Sequence, residues 1–137
     1  DEGTVSEEQL DDGACDFPRI NDNRIGLYSE FGYCMQLKTD VKDLTFGENL
    51  YKYHLETGKR TDHHLGDNVA GGEPVFAPKP GATQEDEGWI LSLVHERESR
   101  ISKLIIIDAQ SFDQPPVAEV IIPQRVPYGA HGSWIQN

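Results

Sequence analysis

No window of about twelve residues in this chain carries a clean helical stripe of apolar side chains, and that constrains the fold more than any motif does. The chain instead strings together short segments rich in Val, Ile, Leu, Phe, Tyr and Trp, each bounded by Gly, Pro or charged turn residues. Residues 24–37 mix Ile, Leu, Tyr, Phe, Cys and Met around Gly26 and Gly32, which predicts one or two short strands with a bend. Residues 49–55 alternate like a half-buried strand. Glu56, Thr57, Gly58 and Lys59 predict a hairpin connection with Gly58 in the left-handed region, and residues 60–65 supply the returning strand. Further strands are predicted at 74–78, 89–96, 103–108 and 117–122, while the acidic stretch 83–87 has room for one helical turn at most. The chain therefore reads as all-β with successive antiparallel strands, a pattern that suits a sandwich, a barrel or a propeller blade alike.

Composition narrows the partners. The hydrophobic share of 36% is low for a self-sufficient core, and 24 acidic against 12 basic side chains give a net charge of −12. Such a chain repels phosphate backbones and anionic surfaces, which argues against nucleic acid as a partner. Residues 1–12 hold Asp1, Glu2, Glu7, Glu8, Asp11 and Asp12 with no basic residue and read as a solvated, mobile head, leaving 13–137 as the structured unit. Cys15 and Cys34 lack the short paired spacing of zinc ribbons or thioredoxin-like sites and read as free buried thiols, a disulfide between them being the open alternative. The longest aliphatic run, Leu104 to Ile107, is strand-sized, and there is no apolar signal segment or run of transmembrane length. Phosphate-cradling loops ending in Lys-Ser or Lys-Thr, Gly-x-Ser-x-Gly elbows and His-Glu-x-x-His pairs are also missing.

The remaining chemistry lies with histidines and carboxylates. His131 sits between Gly129, Ala130 and Gly132, so the backbone around it is uncrowded and would admit a metal and a bulky substrate. It is read as the end of an inward-facing strand; a turn or packing role is the plainer alternative. His54, His63 and His64 form a rival metal set. If Thr57 and Gly58 make a two-residue turn, His54 lies opposite Thr61, with His63 diagonally across at roughly 7–8 Å, whereas a longer loop breaks that register. No neighbouring carboxylate or cysteine completes that set, so an exposed polar hairpin is the better reading. His95, among Glu96, Arg97 and Glu98, reads as exposed and without a role.

Four segments, Gly72 to Pro78, Glu85 to Leu91, Leu104 to Ala109 and Arg125 to Gly132, resemble in order the C-terminal part of the carotenoid cleavage oxygenases. The upstream piece Asp16-Phe17-Pro18-Arg19-Ile20-Asn21 resembles the same family. The resemblance implies a seven-bladed β-propeller to which this chain would supply about the last two blades, with exposed edges and apolar faces prone to self-association. It also implies a non-haem Fe(II) held by four histidines and a reaction with dioxygen that cleaves a conjugated carbon–carbon double bond of a carotenoid or apocarotenoid.

Only the last of the four histidines aligns, at His131; the other three would precede this chain. In the family, three of the four also donate their second ring N–H to a glutamate, and Glu73 matches one of these glutamates, so that Glu73 and Asp16 are expected to orient ligand histidines contributed from outside this chain. Asp16 stands where the family usually has another, shorter by one methylene or roughly 1.5 Å, so its hydrogen bond to a ligand histidine would lengthen or need a water bridge. Otherwise Asp16 starts a turn before Pro18. Ala130 replaces a common phenylalanine and would widen the substrate pocket or leave space for neighbouring side chains to fill. The competing readings are a non-catalytic β module or truncated remnant, since one histidine cannot make a tight iron site, and part of a stilbene-cleaving oxygenase. By resemblance the protein is expected in the cytoplasm, soluble or attached peripherally to a membrane through segments outside this chain.

Overall fold

The alternation that marks a half-buried strand is clearest in Gly88–Glu96, where Ile90, Ser92 and Val94 are buried and Leu93, pointing the other way, is 45% exposed. Period-two burial of this kind needs a sheet with one face on a core. The computed structural model, which describes residues 3–39 and 45–135, supplies two such sheets.

The first is a meander of β1 (Cys15–Arg19), β2 (Phe31–Lys38), β3 (Thr45–His54) and β4 (Lys59–His64), each antiparallel to the next. In the second, β7 (Gly88–Glu96) pairs with β8 (Ser102–Asp108), β8 pairs with β9 (Ala118–Ile122), and β7 carries two short partners on its other edge, β5 (Val69–Ala70) and β6 (Val75–Pro78). All these pairings are antiparallel. Two 3₁₀ turns, Asp22–Arg24 and Ala109–Ser111, complete the regular structure, and no α-helix occurs among the described residues. Tyr33, Met35 and Leu50 of the first sheet pack with Phe76, Ile90, Val94, Ile105 and Ile107 of the second in one core, which Phe112 also enters.

The break between β5 and β6 positions the site. Gly71 to Pro74 interrupts what would otherwise be one strand along β7, because Pro74 has no N–H to give the ladder. Gly72 passes so close to β7 that an added Cβ would meet the Leu93 carbonyl oxygen, leaving room only for glycine. The loop is pinned on both sides: Ser92 Oγ donates to the Gly72 carbonyl (3.0 Å), and the Gly71 N–H donates to Gly47 O in the first sheet (3.0 Å).

Several sequence expectations change. The β3–β4 loop has four residues, 55–58, and His54 pairs with Lys59 rather than Thr61, although Gly58 does take a positive φ of 66°. Asp16 and Pro18, for which a turn was one of two readings, lie in an edge strand that bulges where Phe17 adopts φ 55°; an edge tolerates proline because one side of it needs no ladder bonds. Cys34 is buried but Cys15 is exposed. Residues 3–10 have no regular structure, whereas Asp11 is fastened to the first sheet by Tyr53 Oη (3.0 Å) and Arg60 Nη1 (2.9 Å).

Ile90→Ala should lower folding stability by about 2–5 kcal/mol, and Leu93→Ala on the opposite face by less than about 1 kcal/mol, as read from urea denaturation midpoints.

Candidate functional site

Glu73 leaves the β5–β6 break with its carboxylate only 6% exposed. A buried carboxylate needs partners, and this one has them from three parts of the chain. Its Oε1 accepts from His131 Nδ1 (3.0 Å) and from Arg19 Nη1 (3.1 Å), and its Oε2 accepts from the Gly132 backbone N–H. Arg19, at the end of β1, also donates from Nη1 to the Gly132 carbonyl (2.7 Å) and from Nη2 to Asp22 (3.3 Å). One carboxylate and one guanidinium thus tie the first sheet, the second sheet and the C-terminal tail together.

The electrostatics follow from these contacts. Burial alone would raise the Glu73 pKa, but the bonds from His131 and Gly132 and the bond and charge of Arg19 outweigh it and hold the group below its ordinary value of 4.5. Burial works against the Arg19 charge too, and Glu73 and Asp22 reverse that, raising its pKa. An ionised carboxylate can only accept, so His131 Nδ1 is the donor and, in the neutral ring, Nε2 carries the free lone pair. The His131 side chain is 76% exposed, and its ring stands edge-on to Phe17 at 5.7 Å between centroids. Phe17 continues edge-to-face to Phe46 (5.8 Å), and Phe46 to Tyr128 (5.1 Å).

Beside the imidazole lies a cleft of about 300 Å³ with a mainly apolar wall that includes Phe46, Val75, Leu91, Leu93 and Ala130. His131 is not at a strand end as expected. The last strand stops at Ile122, and the tail that follows is irregular, held by its contacts with Arg19 and Glu73 rather than by a ladder.

The structure therefore bonds Glu73 to His131 of this same chain, where a histidine from outside it was expected, and puts Ala130 on the adjoining cleft. Asp16 is exposed, and its Oδ1 accepts from the Phe17 N–H (2.7 Å). Arg19 and Phe17 were not singled out from sequence. Both lie in the segment that carried the resemblance, but an arginine 54 positions from its carboxylate leaves no local sign of the pairing.

The rival histidines stay apart. His63, expected on an exposed hairpin, is 3% exposed and donates from Nδ1 to the Phe112 carbonyl (2.8 Å); burial lowers its pKa, with that bond opposing. His54 Nε2 lies 3.2 Å from Glu30, while His64 contacts Asn49 and Asp67. In the observed register His54 and His63 share a face but stand four residues apart along the strands, about 13 Å. His95, expected to be exposed, is half-buried with Nδ1 3.2 Å from Ser102 Oγ.

Among the described residues no group of three or more His, Cys, Asp or Glu side chains is placed to hold a metal ion. His131 fits one coordination position: a neutral nitrogen donor, oriented from behind by a carboxylate.

Comparison with known proteins agrees on one lineage. The family model described as retinal pigment epithelial membrane protein matches residues 1–136. Among curated relatives, the apocarotenoid-15,15'-oxygenase of Synechocystis is 30% identical over 98% of this chain and 27% of its own length. The carotenoid cleavage oxygenase of Mycobacterium tuberculosis is 35% identical over 96% of this chain and 26% of its own. The crystal structure of the cobalt-substituted Synechocystis apocarotenoid oxygenase superposes with a TM-score of 0.88 at 30% identity, covering 98% of this chain and 28% of that one. The chain thus spans about a quarter of the length of the relatives it matches.

The Glu73 network has a pH signature. Because the folded-state pKa lies below 4.5, the stabilisation is complete above that value and is lost as pH falls through the lower folded value. Denaturation midpoints should therefore show wild type more stable than Glu73→Gln at pH 7, with the gap closing as pH falls through the lowered Glu73 value.

Proposed function

The chain belongs to the retinal pigment epithelial membrane protein family, and on that premise we propose that it contributes the C-terminal part of a non-haem Fe(II) oxygenase. The reaction is oxidative cleavage of a conjugated carbon–carbon double bond in a carotenoid or apocarotenoid, in keeping with the names of its relatives. In this reading 13–137 supplies part of a seven-bladed propeller, its two sheets being about the last two blades, with the acidic segment 1–12 outside them. No helix among the described residues is long and apolar enough to cross a membrane, and we place the protein in the cytoplasm or peripherally on a membrane.

The observation that carries the reading is the hydrogen bond from His131 Nδ1 to the buried Glu73 carboxylate. It selects the tautomer in which Nε2 can ligate and fixes the direction of the ring. Arg19 keeps Glu73 ionised and so keeps it an acceptor, and the Gly132 N–H holds the second oxygen in place. His131 would supply one ligand to Fe(II), the other histidines coming from outside this chain, and the bound metal would supply the activation of dioxygen. Asp16, with Oδ1 engaged by Phe17, would turn its other oxygen toward one of those histidines. Ala130 and the apolar cleft leave room beside His131 for a bulky apolar substrate.

A second reading, a non-catalytic β module, rests on there being no group of three or more metal-ligating side chains among the described residues. The two separate in the full-length polypeptide carrying this chain. His131→Ala should cut both bound iron and apocarotenoid cleavage at least about 100-fold, and Glu73→Gln should cut iron affinity about 10- to 100-fold, with circular dichroism unchanged. Undiminished iron and turnover in His131→Ala would favour the module.

A further inference from the structure

Acidic residues outnumber basic ones 24 to 12, so most cations here should find a carboxylate, and most do. Arg19, Arg24, Lys38, Lys52, Arg60, Lys79 and Lys103 are each ion-paired. Arg97, Arg100 and Arg125 have no carboxylate within 4.0 Å among the described residues, and all three line one open cleft of about 400 Å³ together with His95 and Tyr128. The arginines come from separate places: Arg97 and Arg100 from the β7–β8 turn, Arg125 from the tail.

Nearby acids are already engaged. Glu96 is held by Lys103 (2.6 Å) and Ser99 (2.7 Å), and Glu48, which feels the Arg97 charge, is paired with Lys38 (3.0 Å); Glu98 is turned to the Asn68 amide (3.0 Å) and keeps its charge, but lies beyond ion-pair distance of the three arginines. Of the cleft cations, Arg97 donates to the Phe46 carbonyl (3.0 Å) and Arg125 lies over the Tyr128 ring at 5.5 Å, contacts that hold the side chains without neutralising them. Three guanidinium groups gathered in one cleft repel each other, and an oxyanion removes that cost. A phosphate monoester carries about −1.5 to −2 charges and offers three oxygens to forked N–H donors, which suits three arginines better than a single carboxylate does.

The cleft also has an apolar continuation. His95 and Tyr128 line both it and the cleft beside His131, whose wall runs on through Leu91, Leu93, Leu104 and Val126. We propose that Arg97, Arg100 and Arg125 bind the phosphate head of a single-chain amphiphile, with its apolar tail along that wall. The head site needs no metal and goes beyond the oxygenase reading; the tail shares the cleft which that reading gives to the substrate, so the two ligands would compete there while anion binding at the arginines stands apart from it.

The test is calorimetric titration of the full-length polypeptide with octyl phosphate below its micelle concentration, inorganic phosphate and octanol. The variant is Arg100→Asn with Arg125→Gln; both positions are exposed, and asparagine tolerates the φ of 59° at position 100. Octyl phosphate should bind at least about tenfold tighter than inorganic phosphate, and more weakly as salt rises from about 50 to about 200 mM. The double variant should lose at least about tenfold in affinity while its thermal midpoint holds. Cosedimentation with phosphatidic acid vesicles separates a bilayer headgroup from a free ligand: octyl phosphate binding with weak vesicle binding supports the free amphiphile. Equal affinity in the variant, no gain from the octyl chain, or vesicle binding without octyl phosphate binding would overturn the proposal.

Discussion

A carboxylate that is nearly sequestered from water yet charged must be surrounded by donors, and Glu73 gathers its donors from places that nothing else joins as directly. Arg19 comes from the first sheet, Gly132 and His131 from the tail, and Glu73 itself from the interrupted edge of the second sheet. The tail has no strand pairing of its own after Ile122; Glu73 holds it at Gly132 and His131, with help from Arg19 on the Gly132 carbonyl, Ser102 on the Val126 N–H and Phe46 against Tyr128. The same carboxylate aims the imidazole. Glu73 therefore contributes both to tail placement and to ring orientation.

How much of this was legible follows from which interactions are local. Strands such as Gly88–Glu96 and Ser102–Asp108 announce themselves because alternation and β-branched content lie within the segment. Val69–Ala70 does not, since two residues carry no period, and Cys15–Arg19 was hidden by a proline that only an edge position excuses. The hairpin register turned on whether the loop held two residues or four, and four put His54 opposite Lys59. His63 looked like a surface residue in a polar run; its burial comes from Phe112, a residue 49 positions away that supplies both packing and a carbonyl acceptor.

At the site, resemblance marked Glu73 and His131 separately, with Glu73 expected to serve a histidine from outside this chain; their mutual bond, 58 positions apart, and the part played by Arg19, 54 positions from Glu73, have no local sign in the sequence. Long-range pairing also explains how charge is distributed. The acidic excess suggested uniform repulsion of anions, yet three arginines without a carboxylate within 4.0 Å among the described residues line one cleft near the β7–β8 turn, where Glu96 is paired with Lys103. Net charge describes the chain at a distance; a bound ligand meets only the groups within about a Debye length.

The tight passage of Gly72 against the Leu93 carbonyl has a consequence for how this protein tolerates mutation. Glycine at this position is a steric requirement imposed by a neighbouring strand; it lines the cleft but carries no side chain into it. Any side chain there must push the loop off β7 and carry Glu73, the next residue, with it. The sheets would keep their common core, so such a lesion would leave a folded protein whose imidazole is no longer aimed. Positions of this kind are invisible to a survey of chemical groups, yet they are as exposed to selection as the groups themselves.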